Sequence, residues 1–195
     1  EATASQIASL ADVIRAETAA TELTPMLSGD SIDDIKFDHL QTTAISHTRA
    51  YYWHPVDTSL GQGQHVYLID TGINKDHEEF AGVAINDLWK NDSAEDFADS
   101  AGHGTAMASI IAGKSIGAAS GVTLHNVKMF DNDEGTVTVG EVIDALDAVL
   151  EHHNANDSTQ PKVGGMPWTI TKNQLVDDKL NEMLEKNLLL VASAG

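Results

Sequence analysis

The chain has 195 residues, 42% of them hydrophobic, which is enough for one globular domain with a buried core. Its 30 acidic and 11 basic residues give a formal net charge of -19, which disfavours nucleic acid and anionic membranes as partners and suits a setting outside the cytoplasm. The absence of cysteine excludes disulfides and thiol chemistry, and because no apolar run reaches membrane-spanning length we expect no membrane partner.

Residues 1–50 contain two segments of different pattern. Between residues 5 and 20, apolar residues recur at helical spacing and predict an amphipathic helix; they are Ile7, Leu10, Ala11 and Ile14. Residues 21–50 mix Pro25, Gly29 and several aspartates with isolated apolar positions. We therefore expect an irregular arm after the first helix.

Asp70 follows a run of apolar and β-branched residues. The run His65–Ile69 is typical of a strand buried on both faces. Functional groups gather at the carboxyl ends of parallel strands, because these ends open onto a crevice. A buried carboxylate there needs a partner, which in hydrolases is usually a histidine. The alternative is that Asp70 stabilises a turn by accepting backbone N–H groups from Thr71 and Gly72.

His103 lies in a glycine-rich turn that opens a predicted helix. Gly102 and Gly104 allow the backbone to approach its neighbours, and the small apolar residues of Thr105–Ala112 predict a buried helix. A lone histidine in such a place is most often a hydrogen-bonded core residue. The pattern Gly-His-Gly-Thr after a strand-end Asp-Thr-Gly instead favours an acid–base pair of Asp70 and His103.

A third helix is predicted after a capping box formed by Thr138 and Glu141. Its apolar residues share one face, typical of a helix that packs on a core: Val139, Val142, Ile143, Leu146, Val149 and Leu150. His152 and His153 end this helix. Because adjacent helical residues point in different directions, we interpret them as cations near the helix C-terminus and not as metal ligands.

Strand and helix patterns alternate in the second half of the chain. We predict strands at Val122–Met129, Lys162–Trp168 and Leu188–Ser193, and a helix at Asn173–Lys186. Such alternation is typical of a parallel sheet with right-handed crossovers. We therefore predict an α/β fold with a doubly wound, mostly parallel sheet and helices on both faces. Because Leu188–Val191 is apolar on both sides, we expect this sheet to be incomplete at its C-terminal side.

Seven short segments of the chain carry a family resemblance. They are Tyr51–Trp53, Gly61–Gly63, Val66–Ile73, His77–Phe80, Gly102–Thr105, Val127–Asp131 and Val191–Gly195. In order and spacing they resemble the subtilisin-like serine proteases, or subtilases. The proteinase K and cerevisin branch is favoured because Ala112–Gly117 lacks the calcium-binding insertion of bacterial subtilisins. The resemblance implies that residues 29–195 are the N-terminal portion of a peptidase domain and residues 1–28 a helical extension or pro-region remnant.

The resemblance assigns chemistry to the acid–base pair. Asp70 matches the carboxylate that orients the imidazole, and His103 matches the general base of an Asp-His-Ser triad that hydrolyses peptide bonds. No serine of this chain stands in the matching context, and the family's oxyanion-hole asparagine would follow Gly195. The resemblance therefore implies that a C-terminal remainder or a companion chain supplies the nucleophile, and that this chain alone is inactive.

The resemblance also implies two substrate-binding segments. Val163–Ile170 matches the edge strand along which a peptide substrate lies, and Val191–Gly195 matches a strand whose end walls the specificity pocket. The candidate substrate-binding residues are Met166, Pro167, Trp168, Thr169, Ser193, Ala194 and Gly195. Pro167–Ile170 replaces the family's Ser-Leu-Gly-Gly run, so we expect a bulkier wall and either altered specificity or an inactive relative.

Two other functions remain open. A protease-derived scaffold within a larger assembly would keep the fold without turnover, and Pro167–Thr169 favours it. A dimeric aspartic protease would use Asp70–Gly72 as its Asp-Thr-Gly triplet, but that fold is mostly β and gives His103 no role. Triad chemistry requires no cofactor. Structural calcium is implied without a placed site, because Glu79 matches a ligand position of bacterial subtilisins whose accompanying loop is missing.

Overall fold

The computed structural model describes residues 59–114, 116–131 and 136–194 of the chain. The predicted N-terminal helix, the irregular arm and the domain division at residue 28 lie outside these residues. The motif Tyr51–Trp53 and the chain's last residue, Gly195, also lie outside them. These expectations therefore stay predictions.

Five parallel strands form one sheet in the part of the chain that the structure describes. In chain order they are β1 (His65–Asp70), β2 (Ala84–Lys90), β3 (Thr123–Lys128), β4 (Lys162–Met166) and β5 (Leu188–Ala192). Their spatial order is β2-β3-β1-β4-β5, and every pairing is parallel. Strand β1 therefore lies in the middle of the sheet, and its last residue reaches the centre of the carboxyl edge.

Helices cover both faces of this sheet. They are α1 (His103–Ala112), α2 (Val139–Ala155) and α3 (Gln174–Glu185), with a short 3-10 helix at Glu78–Phe80. Side chains of β1 alternate between the faces: Val66 and Leu68 pack in the cluster that includes α1, whereas Tyr67 and Ile69 pack with α2 and α3. The predicted doubly wound α/β fold is confirmed.

Helix α2 begins with the predicted capping box. The Thr138 hydroxyl accepts a hydrogen bond of 3.3 Å from Glu141 N, and Glu141 Oε2 accepts one of 2.6 Å from Thr138 N. These contacts satisfy two N–H groups that have no partner within the helix. Apolar residues of the predicted face are buried in the core: Val142, Leu146, Val149 and Leu150.

The interpretation of His152 and His153 as cations is wrong. His153 is fully buried; its Nε2 lies 2.5 Å from Lys186 O and its Nδ1 lies 3.2 Å from Lys162 Nζ. His152 Nδ1 lies 3.0 Å from the Tyr67 hydroxyl. Burial lowers the pKa of both histidines. Both are therefore neutral near pH 7 and stabilise the helix end by hydrogen bonding and packing.

Two strand predictions need correction. Strand β4 is not an edge strand, because it pairs with β1 on one side and β5 on the other, and it ends at Met166. Pro167 has no N–H to donate to a neighbouring strand, which explains why the ladder stops there. The sequence pattern does not predict β2, because exposed polar residues and an irregularity between Asp87 and Trp89 interrupt its apolar alternation.

Candidate active site

Strand β1 carries Asp70 to the carboxyl edge of the sheet, where the residue is 2% exposed. Its Oδ1 lies 2.8 Å from His103 Nδ1 and accepts a hydrogen bond of 2.6 Å from Thr71 N. Its Oδ2 is buried without a hydrogen-bond partner among the described residues. Burial raises the pKa of Asp70, and the hydrogen bonds from His103 and Thr71 oppose that rise. The structure thus brings the two predicted residues together.

His103 is the first residue of α1, and its side chain is 42% exposed. Because an ionised carboxylate only accepts hydrogen bonds, the contact with Asp70 places the imidazole proton on Nδ1. Proton exchange with a substrate would then use Nε2. A buried carboxylate and an accessible imidazole form the arrangement of a general base oriented by an acid.

Glycines permit the close approach of α1 to β1. A Cβ on Gly104 would lie 2.2 Å from Gly72 O and 3.1 Å from Asp70 Oδ1. Gly72 has a φ of +107°, and a Cβ there would lie 2.8 Å from Phe97 O. A larger residue at Gly104 would push the helix and strand apart, whereas one at Gly72 would meet the loop backbone at Phe97 and Ala98. Gly104 is therefore needed for the contact between Asp70 and His103, and Gly72 for the path of the chain after Asp70.

Asp99 and two threonines also contribute to this site, although the sequence pattern does not predict them. Thr71 Oγ1 donates to Asp99 Oδ1 over 2.8 Å, and Thr105 Oγ1 donates to Asp99 Oδ2 over 2.5 Å. An acidic residue just before a helix start is a recognised sequence signal. Asp99 does not occupy that position, because Gly102 is the N-cap and Asp99 precedes the helix that begins at His103 by four residues.

A cleft of about 230 Å³ lies beside the carboxyl ends of β4 and β5. The predicted substrate-binding residues that line it are Met166, Trp168, Thr169, Ser193 and Ala194. Pro167 is not among the lining residues, and the position of Gly195 lies outside the described part of the chain. The cleft therefore unites five of the seven candidates.

Trp168 joins this cleft to the strand that carries the carboxylate. Its Nε1 donates a hydrogen bond of 2.9 Å to the carbonyl of Ile69, the residue before Asp70. Its ring meets Phe130 edge-on, with ring centroids 6.2 Å apart. Together with Thr169 and Ile170, the indole lines the cleft.

The described residues contain neither a cluster of metal-ligating side chains nor a membrane-spanning helix. They contain no group of three or more His, Asp or Glu side chains that could hold a metal ion. Structural calcium, which the resemblance implies without a placed site, stays a prediction. No helix in the described ranges is long and apolar enough to cross a bilayer.

The fold and the Asp–His pair define the class of protein: an α/β protein with the acid and base of serine hydrolases at the carboxyl edge of its sheet. Residues 61–195 match the subtilase family, peptidase S8. The chain belongs to this family.

Individual relatives agree with this assignment. The chain is 34% identical to alkaline protease 1 of Emericella nidulans over 158 residues, which is 78% of this chain and 37% of that protein. It is 34% identical to a subtilisin-like protease of Coccidioides posadasii over 141 residues, 71% of this chain and 33% of that one. The solved structure of a cold adapted subtilisin-like serine proteinase gives a TM-score of 0.60 at 28% identity, covering 74% of this chain and 50% of that one. The chain thus spans about a third of the length of these two curated relatives.

Proposed function

We propose that the whole protein is a subtilisin-like serine endopeptidase, in which this chain provides the Asp and His of an Asp-His-Ser triad. The observation that carries the proposal is the 2.8 Å contact between His103 Nδ1 and Asp70 Oδ1. The serine nucleophile and the oxyanion-hole asparagine would come from a C-terminal remainder or a companion chain. The limited share of the relatives that this chain covers, 37% and 33%, supports that part of the proposal. Without the serine the chain would be inactive.

The proposed mechanism follows from the orientation of the imidazole. With its proton on Nδ1 and donated to Asp70, His103 can accept the serine hydroxyl proton on Nε2 while the oxygen attacks the peptide carbonyl. The imidazolium then gives that proton to the leaving amine. The carboxylate of Asp70 stabilises the positive charge of the imidazolium. This attraction is stronger than between exposed groups, because the carboxylate is buried and water screens it less. Imidazole and carboxylate supply the acid–base chemistry, so the reaction needs no cofactor.

The proposed substrate is a peptide or protein segment that lies across the cleft. After Met166 the chain leaves the β4 ladder, and the following residues could pair with an extended peptide through main-chain hydrogen bonds. Pro167 lacks an N–H but keeps its carbonyl as an acceptor. The wall of Trp168, Thr169 and Ile170 would lie against the bound segment. We place the protein outside the cytoplasm because its strongly acidic composition suits that setting.

The second candidate function is an inactive scaffold derived from a protease. The observation that favours it is the presence of Thr169 and Ile170 in the cleft, where the family carries two glycines. Side chains at these positions could prevent a peptide backbone from lying close to the wall. In such a scaffold the Asp70–His103 contact would be retained, but the protein would not hydrolyse peptides.

Labelling of the full-length protein with a serine-directed fluorophosphonate separates the two functions. We expect labelling of one serine outside this chain, and its loss in His103→Ala, because the reagent reacts with a serine that a general base activates. The matched control is His77→Asn, which changes an exposed histidine of the loop after β1 and should label normally. Folded wild-type protein that takes no label would contradict the endopeptidase and favour the scaffold.

A further inference from the structure

Asp99 connects the segment that follows Asp70 with the turn that leads into His103. Its carboxylate accepts five hydrogen bonds. Oδ1 accepts from Thr71 Oγ1 at 2.8 Å, Ala101 N at 3.0 Å and Gly102 N at 2.8 Å, and Oδ2 accepts from Thr105 N at 2.8 Å and Thr105 Oγ1 at 2.5 Å. A single half-buried side chain therefore contacts the segment after β1 and the first turn of α1.

The start of α1 depends on this carboxylate. The N-cap residue is Gly102, with φ of 98°, and it makes no side-chain capping hydrogen bond. The first N–H groups of a helix have no partner within the helix and are normally satisfied by an N-cap side chain. Asp99 accepts from Gly102 N and Thr105 N and so replaces the missing cap. Its negative charge also lies at the positive end of the helix dipole.

Two hydroxyl groups extend the contact from Asp99 to the neighbours of the catalytic pair. Thr71 Oγ1 donates to Asp99 and accepts a hydrogen bond of 2.9 Å from Gly104 N. Thr105 Oγ1 donates to Asp99 and accepts one of 3.0 Å from Asn74 N. Thr71 follows Asp70 and Gly104 follows His103 in sequence. Each threonine hydroxyl therefore links the segment after β1 to the first turn of α1 through its hydrogen bonds.

We propose that Asp99 is a positioning residue, which fixes the orientation of the His103 imidazole relative to Asp70 through Thr71 and the first turn of α1. Its effect on turnover rests on the proposed function, whereas its effect on the Asp–His hydrogen bond does not. Two acceptor oxygens are required, because one faces Thr71 and Gly102 while the other faces Thr105.

The charge of Asp99 agrees with this role. Burial alone would raise its pKa, but the hydrogen bonds from Thr105, Gly102 and Thr71 outweigh burial and lower it. Asp99 therefore stays ionised and acts only as an acceptor near neutral pH. An asparagine would place an amide N–H group against the donors of Thr105, which leaves them unsatisfied.

The test uses the full-length protein, with Asp99→Asn as the variant and Asp96→Asn as the matched control. Asp96 lies in the same loop and accepts a hydrogen bond from Ala98 N. Two readouts are needed: kcat and KM on a peptide substrate, and the downfield proton NMR signal of His103 Nδ1–H, assigned by its loss in His103→Ala. We expect Asp99→Asn to weaken or shift the signal and lower kcat about 100-fold with KM unchanged, because small misplacements of a reacting group cost that much. Asp96→Asn should match wild type in both readouts.

A second pair of variants keeps the proposal testable if Asp99→Asn does not fold. Thr71→Ser keeps the hydroxyl that relays to Gly104 N and should preserve the NMR signal and kcat, whereas Thr71→Val, of the same shape, should lose both. An unchanged signal in folded Asp99→Asn, or equal behaviour of the two Thr71 variants, would overturn the proposal. If wild-type protein proves to have no peptidase activity, the NMR comparison still decides the role of Asp99 while the proposed function fails.

Discussion

One oxygen of Asp70 serves two donors, and this sharing fixes the chemistry of the site. Oδ1 accepts from Thr71 N and His103 Nδ1, so the carboxylate is held by the backbone on one side and holds the imidazole on the other. The carboxylate is buried, whereas the imidazole is 42% exposed. Asp70 is therefore held rigidly, and His103 is accessible to a substrate. A general base needs this accessibility, because it must reach the proton that it accepts.

Replacing the acid tests this arrangement. We expect Asp70→Asn in the full-length protein to lower kcat about 10⁴-fold, because an amide can donate to Nδ1 and stabilise the wrong imidazole tautomer. Steady-state hydrolysis of a peptide measures the loss, and Asp76→Asn, an exposed residue of the loop after β1, is the control. Wild-type turnover in Asp70→Asn would contradict the role of the carboxylate.

The sequence predicts Asp70 and His103 but not Asp99, and the difference has a physical cause. Asp70 ends an apolar strand and His103 begins a helix, so each lies at an element boundary that local patterns mark. The contacts of Asp99 depend on the path of a loop that brings Thr71 and Thr105 to one carboxylate. Sequence spacing does not describe that path.

At the scale of elements, the site depends on how closely α1 approaches β1. The helix crosses the end of the strand at Gly104, whose missing side chain leaves room for Gly72 O and Asp70 Oδ1. No other residue type fits between these oxygens without moving the helix. The geometry of the catalytic pair is thus a packing property of two elements.

Two glycine substitutions, each on a helix, test this packing. We expect Gly104→Ala to destabilise the protein by about 1–3 kcal/mol, as overpacking does, and to abolish turnover. Gly140→Ala should instead stabilise it by up to about 1 kcal/mol, because a Cβ there meets only Thr138 Oγ1 at 3.7 Å and alanine favours the helix. Urea unfolding measures both changes. An unchanged free energy of unfolding in Gly104→Ala would show that α1 and β1 are less tightly packed than the structure indicates.

A cluster of histidines lies between the sheet and α2, far along β1 from Asp70. His125 Nε2 lies 2.8 Å from His65 Nδ1, and the His125 ring stacks on Tyr67 at 4.8 Å between centroids. His125 Nδ1 is buried without a hydrogen-bond partner among the described residues. Burial, the largest cause, and the charges of His152, His65 and Lys162 together lower the pKa of His125 to about 4. The fold therefore requires a neutral His125.

This requirement makes stability depend on pH with a definite sign. Between the ordinary pKa of 6.5 and about 4, the unfolded state binds a proton at His125 that the folded state does not. The free energy of unfolding should therefore fall as the pH drops from 6.5 to about 4. At still lower pH, the titration of His125 should change it less. We expect a larger loss between pH 7 and pH 5 in wild type than in His125→Gln, measured by urea unfolding. Equal losses in the two proteins would contradict the burial of a neutral imidazole.

The element predictions succeed where the apolar pattern is continuous and fail where it is not. Strand β1 and helix α2 are predicted because most of their buried residues are apolar. Strand β2 is missed because it lies at the edge of the described sheet, where exposed polar residues are tolerated. The edge position assigned to Val163–Ile170 is wrong because the order of strands is a long-range property that local sequence does not contain.

At the scale of the whole molecule, the C-terminal strand presents apolar side chains outward. Leu189 is 58% exposed and Val191 is 56% exposed, and β5 pairs with β4 at one edge of the described sheet. Exposed apolar sheet edges favour association with another segment. We therefore expect the remainder of the full-length protein, or a companion chain, to cover β5.

A charged residue in place of Leu189 tests whether another segment buries β5. If another segment buries Leu189, Leu189→Asp should destabilise the full-length protein by more than about 2 kcal/mol, because it buries an unpaired carboxylate. If Leu189 is exposed in the full-length protein, the change should stay within about 0.5 kcal/mol, as for most surface substitutions. Urea unfolding distinguishes the two, and the smaller change would contradict a cover over β5.

The most direct measurement of the central claim is peptide hydrolysis by the full-length protein and its His103→Ala variant, followed side by side by mass spectrometry. We expect cleavage within the peptide by wild type and a loss of about 10⁶-fold in kcat in the variant, the size of the loss in subtilisin when its histidine is removed. Equal cleavage by both proteins, or none by folded wild type, would contradict it.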